Sequence, residues 1–181
     1  MERSKRDGGS TESLLVITGS MGAGKTAVLG EASDILSMRQ IVHAAIDLDA
    51  LGLACLPAGA VTDAVMYENL RSIRRNYAAL GVQRFLLARA IEDEAQLNLC
   101  RGIFAAANTV VCRLIARTET MRRRIESREA GISRQEYVAR VSELDVILDR
   151  SRLVDFSVSN ENRPLTDVAL EMLVKAGWIP N

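Results

Sequence analysis

The chain has 181 residues, 48% of them hydrophobic, and no glycine- or serine-rich linker divides it, so one domain with a full apolar core is expected. Its 23 Lys and Arg balance 23 Asp and Glu, which leaves no global basic field to hold nucleic acid. No apolar run reaches the roughly 18 residues of a membrane span, and Cys55, Cys100 and Cys112 form no C-x-x-C pair, which points to reduced thiols and a cytoplasmic location; a monomer or homodimer is expected.

Residues 1–13 are charged and polar and read as a disordered tail, leaving 14–181 as the domain. The apolar run 14–18 reads as a strand. Gly19, Ser20, Met21, Gly22, Ala23, Gly24, Lys25 and Thr26 follow it as G-x-x-x-x-G-K-T, and a helical pattern (Val28, Ala32, Ile35, Leu36) follows them. That strand-loop-helix spelling is a phosphate-binding P-loop. Its backbone N–H groups converge on a phosphate, so glycine stands at the tightest points, and the helix adds the positive end of its dipole. Residues 19–27 are thus candidate ATP contacts. Lys25 can reach the β- and γ-phosphates, and Thr26 offers a hydroxyl to Mg²⁺.

A second strand, 41–47, carries the only histidine, His43, as a packed residue and ends in Asp47-Leu48-Asp49. Period-two alternation places both carboxylates on one side of the strand's carboxyl end, the edge where open parallel sheets bind ligands. Phosphoryl transfer to an alcohol needs one carboxylate to take the hydroxyl proton and another group to hold Mg²⁺, and D-x-D can supply both. The same stretch spells D-x-x-G, but no N-K-x-D guanine reader exists in the chain, so GTP is discounted.

Val65, Leu70, Ile73, Tyr77 and Leu80 predict a helix capped by Gly81, with Arg71, Arg74 and Arg75 on a solvated face. Strand 84–88 runs into Arg89 without the terminal Asp of motor ATPases. Arg89 is either an anchor for an anionic or polar group on the acceptor or one half of a surface ion pair. A third helix starts near Glu92, a strand covers 109–115, and a fourth helix covers Thr120 to Glu129. Gly131 breaks it, Ser133 to Glu136 spells a capping box, and Val138, Val141, Leu144 and Leu148 mark the next helix. Strand 154–159 and a helix from Pro164 to Ala176, before Gly177, complete the chain.

From the P-loop through D-L-D, and across residues 13–178 more loosely, the chain resembles the nucleoside-monophosphate-kinase-like group of small-molecule kinases, which includes shikimate, gluconate and adenylylsulfate kinases and chloramphenicol phosphotransferase. The resemblance implies an α/β, three-layer α/β/α P-loop NTPase fold with a five-stranded parallel sheet ordered 2-3-1-4-5 and a helical lid around 124–150. It assigns Asp47 to Mg²⁺ and its waters and Asp49 to the acceptor hydroxyl. The R-x-x-x-R spacing puts Arg124 against adenine and Arg128 on the phosphates, the alternative being a solvated helix paired with Glu119, Glu126 and Glu129. Asn160 would frame the base edge or simply belong to a helix-start turn. The expected activity is ATP- and Mg²⁺-dependent transfer of the γ-phosphate to a hydroxyl of a small molecule, a metabolite or antibiotic. A nucleotide or nucleoside kinase, or a nucleotide-binding regulator or ATP hydrolase without an acceptor, are the alternatives.

Overall fold

The computed structural model describes residues 12–106, 108–128, 131–132 and 134–181. Chain order is β1 (Ser13–Thr18), α1 (Lys25–Met38), β2 (Ala44–Asp47), a 3-10 turn (Asp49–Gly52), α2 (Thr62–Ala79), β3 (Arg84–Ala88), α3 (Glu94–Phe104), β4 (Asn108–Ile115), α4 (Thr118–Arg128), α5 (Arg134–Ser151), β5 (Phe156–Ser159) and α6 (Leu165–Lys175). The five strands form one parallel sheet in the order β2-β3-β1-β4-β5, with β1 central and Ser13 level with Arg84 on one side and Asn108 on the other. Among the described residues no helix is long and apolar enough to cross a membrane.

The apolar run of β1 follows from its place, because a central parallel strand is covered on both faces. Leu15 and Ile17 point into a core shared with α1, α4, α5 and α6, while Leu14 and Val16 point into one shared with α2 and α3. All four are at most 1% exposed. The result is a three-layer α/β/α P-loop domain whose strand carboxyl ends, and the loops following them, share one edge.

Local chemistry moved several boundaries. Strand β2 starts at Ala44 rather than residue 41, because α1 exits through a Schellman turn. There Gln40 takes a φ of 56° and the Ile41 N–H donates back to Leu36 O. His43 therefore precedes the strand, with Ser33 Oγ at 2.9 Å and Ile41 O at 2.8 Å from its ring nitrogens. Strand β5 starts at Phe156, after Asp155 has accepted the Val111 N–H through its carboxylate. Helix α3 begins at Glu94 because Asp93 caps it, accepting the Gln96 N–H at 2.8 Å.

Helix α2 buries Met66, Tyr67 and Leu70, whereas Val65, Tyr77 and Leu80 face solvent, so the buried stripe is rotated from the expected one. Gly81 does end that helix, at φ 86°, with the Val82 N–H returning to Tyr77 O. The expected tail lies outside the described residues through residue 11. Its last two residues belong to the folded body, Glu12 paired with Arg74 and Ser13 in β1. Glu129 and the Ser133 of the expected capping box also lie outside the described residues.

Candidate functional site

The loop after β1 is shaped by its neighbours as much as by any ligand. Thr18 is buried and its hydroxyl accepts the Ile91 N–H at 2.9 Å, which fastens the start of the loop to the segment after β3. Ser20 Oγ donates to Val141 O of α5 at 2.8 Å. Gly19, Gly22 and Gly24 hold φ values of 149°, 76° and 96°. A Cβ on Gly19 would lie 2.7 Å from Leu114 O, and one on Gly22 would strike the backbone of Met121 in α4. Gly22 is thus required although the motif leaves its position open. Gly22→Ala combines positive φ with this overlap and should cost about 1–3 kcal/mol, read by urea denaturation. An unchanged midpoint would show that α4 yields at no cost.

Lys25 opens α1 and folds back over the loop, donating to Gly19 O at 3.0 Å and Ser20 O at 3.2 Å. Desolvation by the surrounding loop pushes its pKa below the ordinary 10.5, while Asp49 and Asp47 pull the other way. Thr26 Oγ1 donates to Asp47 Oδ2 at 2.7 Å, and Asp47 Oδ1 accepts the Asp49 N–H at 3.2 Å. The hydroxyl and carboxylate expected to serve Mg²⁺ therefore already touch.

Strand alternation does not place Asp49 beside Asp47, contrary to the expectation from sequence. Strand β2 ends at Asp47, Leu48 turns into the right-handed helical region, and Asp49 opens the 3-10 turn. A turn, with Leu48 buried as its anchor, brings Asp49 to the cleft. Although much of its side chain is exposed, desolvation against the cleft wall raises the Asp49 pKa above the usual 3.8, partly offset by Lys25 and Arg89.

Arg89, just past β3, donates to Asp49 Oδ1 and to Asp63 Oδ2, both at 3.3 Å. Its side chain is only 13% exposed and lies beside Met66 Sδ and over the Tyr67 ring. The ion pair raised as an alternative to a substrate anchor thus exists, but at the wall of the cleft. That cleft measures about 330 Å³ and is lined by the loop, Asp49, Arg89, Glu92, Arg128 and the α5 residues Tyr137, Arg140 and Leu144. Arg140 spans it to Glu92 at 2.8 Å.

A second cavity of about 310 Å³ adjoins it, lined by Gly22, Gly24, Ala27, Arg124, Arg128, Asn160, Arg163 and Leu165. Arg124 donates to Asn160 O at 2.8 Å and lies along this wall. The Asn160 side chain is buried and donates to Ala23 O at 2.8 Å, so it clips the loop after β5 onto the P-loop with one N–H of its amide. Met21, on the P-loop, lines the first cleft.

Four residues of the site or its frame escaped sequence reasoning: Asp63, Tyr137, Arg140 and Glu161. Glu161 accepts from Thr120 Oγ1 at 2.8 Å and from the Arg117 N–H at 3.0 Å, contacts that hold its carboxyl down to about 2. It thereby docks the start of α4 on the loop after β5. No local signal marks these residues, because Asp63, Arg140 and Glu161 take their roles from partners far away in the chain and Tyr137 from the cleft that the fold closes around it.

No protein-family model matches the chain, and no curated protein matches it in sequence. Solved structures match its fold across almost its whole length. A gluconokinase from Sinorhizobium meliloti 1021 is 17% identical with a TM-score of 0.59, over 93% of this chain and 92% of that one. The Acinetobacter baumannii shikimate kinase in complex with shikimate is 14% identical with a TM-score of 0.59, over 92% and 93%. The Mycobacterium tuberculosis APS kinase, in complex with AMPPNP and APS, is 19% identical with a TM-score of 0.59, over 92% and 97%. These similarities establish the fold that the chain shares with P-loop kinases of small molecules.

Proposed function

We propose that this chain transfers the γ-phosphate of ATP to a hydroxyl of a small molecule. The observation that carries the reading is the convergence of Lys25, the Thr26–Asp47 pair and Asp49 on one cleft, with a second cavity adjoining it on the Arg124 side. The residues present fit a nucleotide. Three loop glycines at positive φ shape the cradle, and the Lys25 ammonium donates to loop carbonyls that phosphate oxygens can replace. Thr26 and Asp47 would hold Mg²⁺, which when bound neutralises charge on the phosphate oxygens.

In this reading Asp49 orients the acceptor hydroxyl and takes its proton as the new O–P bond forms and the bond from the γ-phosphorus to the ADP oxygen breaks. Lys25 and Arg128 offset the charge on the transferring group, Arg124 lies against the base, and Arg89 fixes the Asp49 carboxylate from the acceptor side. The solved kinases that share the fold support the class of reaction without naming the acceptor.

The test is ADP release with ATP and Mg²⁺ across a panel of small alcohols. At least one should raise release well above the no-acceptor background. A rate unaffected by every alcohol would favour an ATP hydrolase or a regulator instead.

A further inference from the structure

The acceptor end of the cleft has a charge pattern that selects among alcohols. Two arginines reach it, and both are matched. Arg140 is paired with Glu92, and Arg89 is paired with Asp49 through one terminal nitrogen and with Asp63 through the other. The Arg89 guanidinium is packed against Met66 and Tyr67, and its Nε is buried with no hydrogen-bond partner among the described residues. Its two terminal nitrogens, the ones an incoming carboxylate would fork onto, each already hold an aspartate. Of the other cations that line the cleft, Lys25 belongs to the P-loop and Arg128 also lines the second cavity, which leaves Asp49, Asp63 and Glu92 around Arg89 and Arg140 at the acceptor end.

We propose that Asp63 is a specificity-determining residue that closes Arg89 to acidic acceptors, so that the acceptor is a cationic alcohol, an amino sugar or amino alcohol whose ammonium faces the Asp49–Arg89–Asp63 array. This rests on phosphotransfer to a small-molecule hydroxyl and adds the charge class of the molecule that bears it. An acidic acceptor would have to displace a carboxylate from Arg89 and enter a site of its own sign. An ammonium needs no displacement, because both aspartate side chains are more than half exposed and keep open oxygen lone pairs. Asp63 is suited to this work by its place in the first turn of α2, where the helix dipole favours a carboxylate and the backbone is held by a full-length helix.

The test uses three sugars of one ring size that differ in charge: glucosamine, glucose and glucuronate. Binding to the full chain with ADP and Mg²⁺ is read by saturation-transfer NMR, and turnover is read by ADP release from ATP. Glucosamine should bind at least tenfold more tightly than glucuronate, with glucose between them. Asp63→Asn should shrink that ratio at least fivefold by admitting glucuronate, and Asp63→Glu should restore most of it, with the KM for ATP unchanged in both. If glucuronate binds as well as glucosamine, if charge makes no difference, or if Asp63→Asn leaves the ratio alone, the proposal is overturned. Preferential binding of glucosamine with no turnover of any alcohol would instead count against phosphotransfer while leaving the charge selection intact.

Discussion

Asp49→Asn should lower turnover roughly 10²–10⁴-fold, the range a general base contributes, while ATP binding stays close to that of the unaltered protein. Asparagine is nearly isosteric. Its carbonyl oxygen can still accept from Arg89 and from the acceptor hydroxyl, but it cannot take a proton at neutral pH. Asp49 lies away from the cavity that faces Arg124, so the loss should fall on kcat and not on the KM for ATP. The pH profile gives an independent check. Desolvation against the cleft wall raises the Asp49 pKa above 3.8, and the base works only when deprotonated, so activity should fall with decreasing pH at higher pH than an ordinary aspartate would produce. Asp49→Asn should erase that acid limb. Near-normal turnover, or an acid limb that survives the substitution, would place the base elsewhere.

Lys25→Ala should lower kcat/KM by about 10²–10³-fold, the cost of removing one preorganised donor from developing charge, and should weaken ATP binding as well. The two effects come together because the ammonium meets phosphate oxygens in the ground state and in the transition state. Fold stability should change little, since Lys25 lines the cleft and its two bonds, to Gly19 O and Ser20 O, stay within the loop and its flank rather than joining distant elements. Titration with a fluorescent ATP analogue beside steady-state kinetics separates the two readouts. Retained affinity and turnover would remove the P-loop assignment. Lost activity with a collapsed melting temperature would show that the lysine holds the loop together rather than the nucleotide.

What the sequence determined by itself was whatever is written in consecutive residues. The P-loop spans Gly19 to Thr26 without a gap, and it is spelled by backbone constraints that hold in any fold. The alternation of short apolar runs with helical spacing determined a parallel sheet, because a central strand such as β1 must be apolar on both faces. Residues 47–49 placed two carboxylates beside that loop by proximity alone, although a turn and not strand alternation delivers the second.

Tertiary structure decided what depends on distant partners. Gly22 is required because α4 presses on it, and Asn160 is a clip because Ala23 O waits 137 residues away. Arg89 could be read as an anchor or as a surface pair until Asp63, 26 residues earlier, was seen to take its second arm. The rotated face of α2 has the same cause. Periodicity says that a helix is amphipathic, but the sheet it lies on selects which side chains are covered. Hydrophobic spacing is local, whereas charge compensation and steric closeness are properties of pairs, and chain order alone does not reveal which pairs will meet.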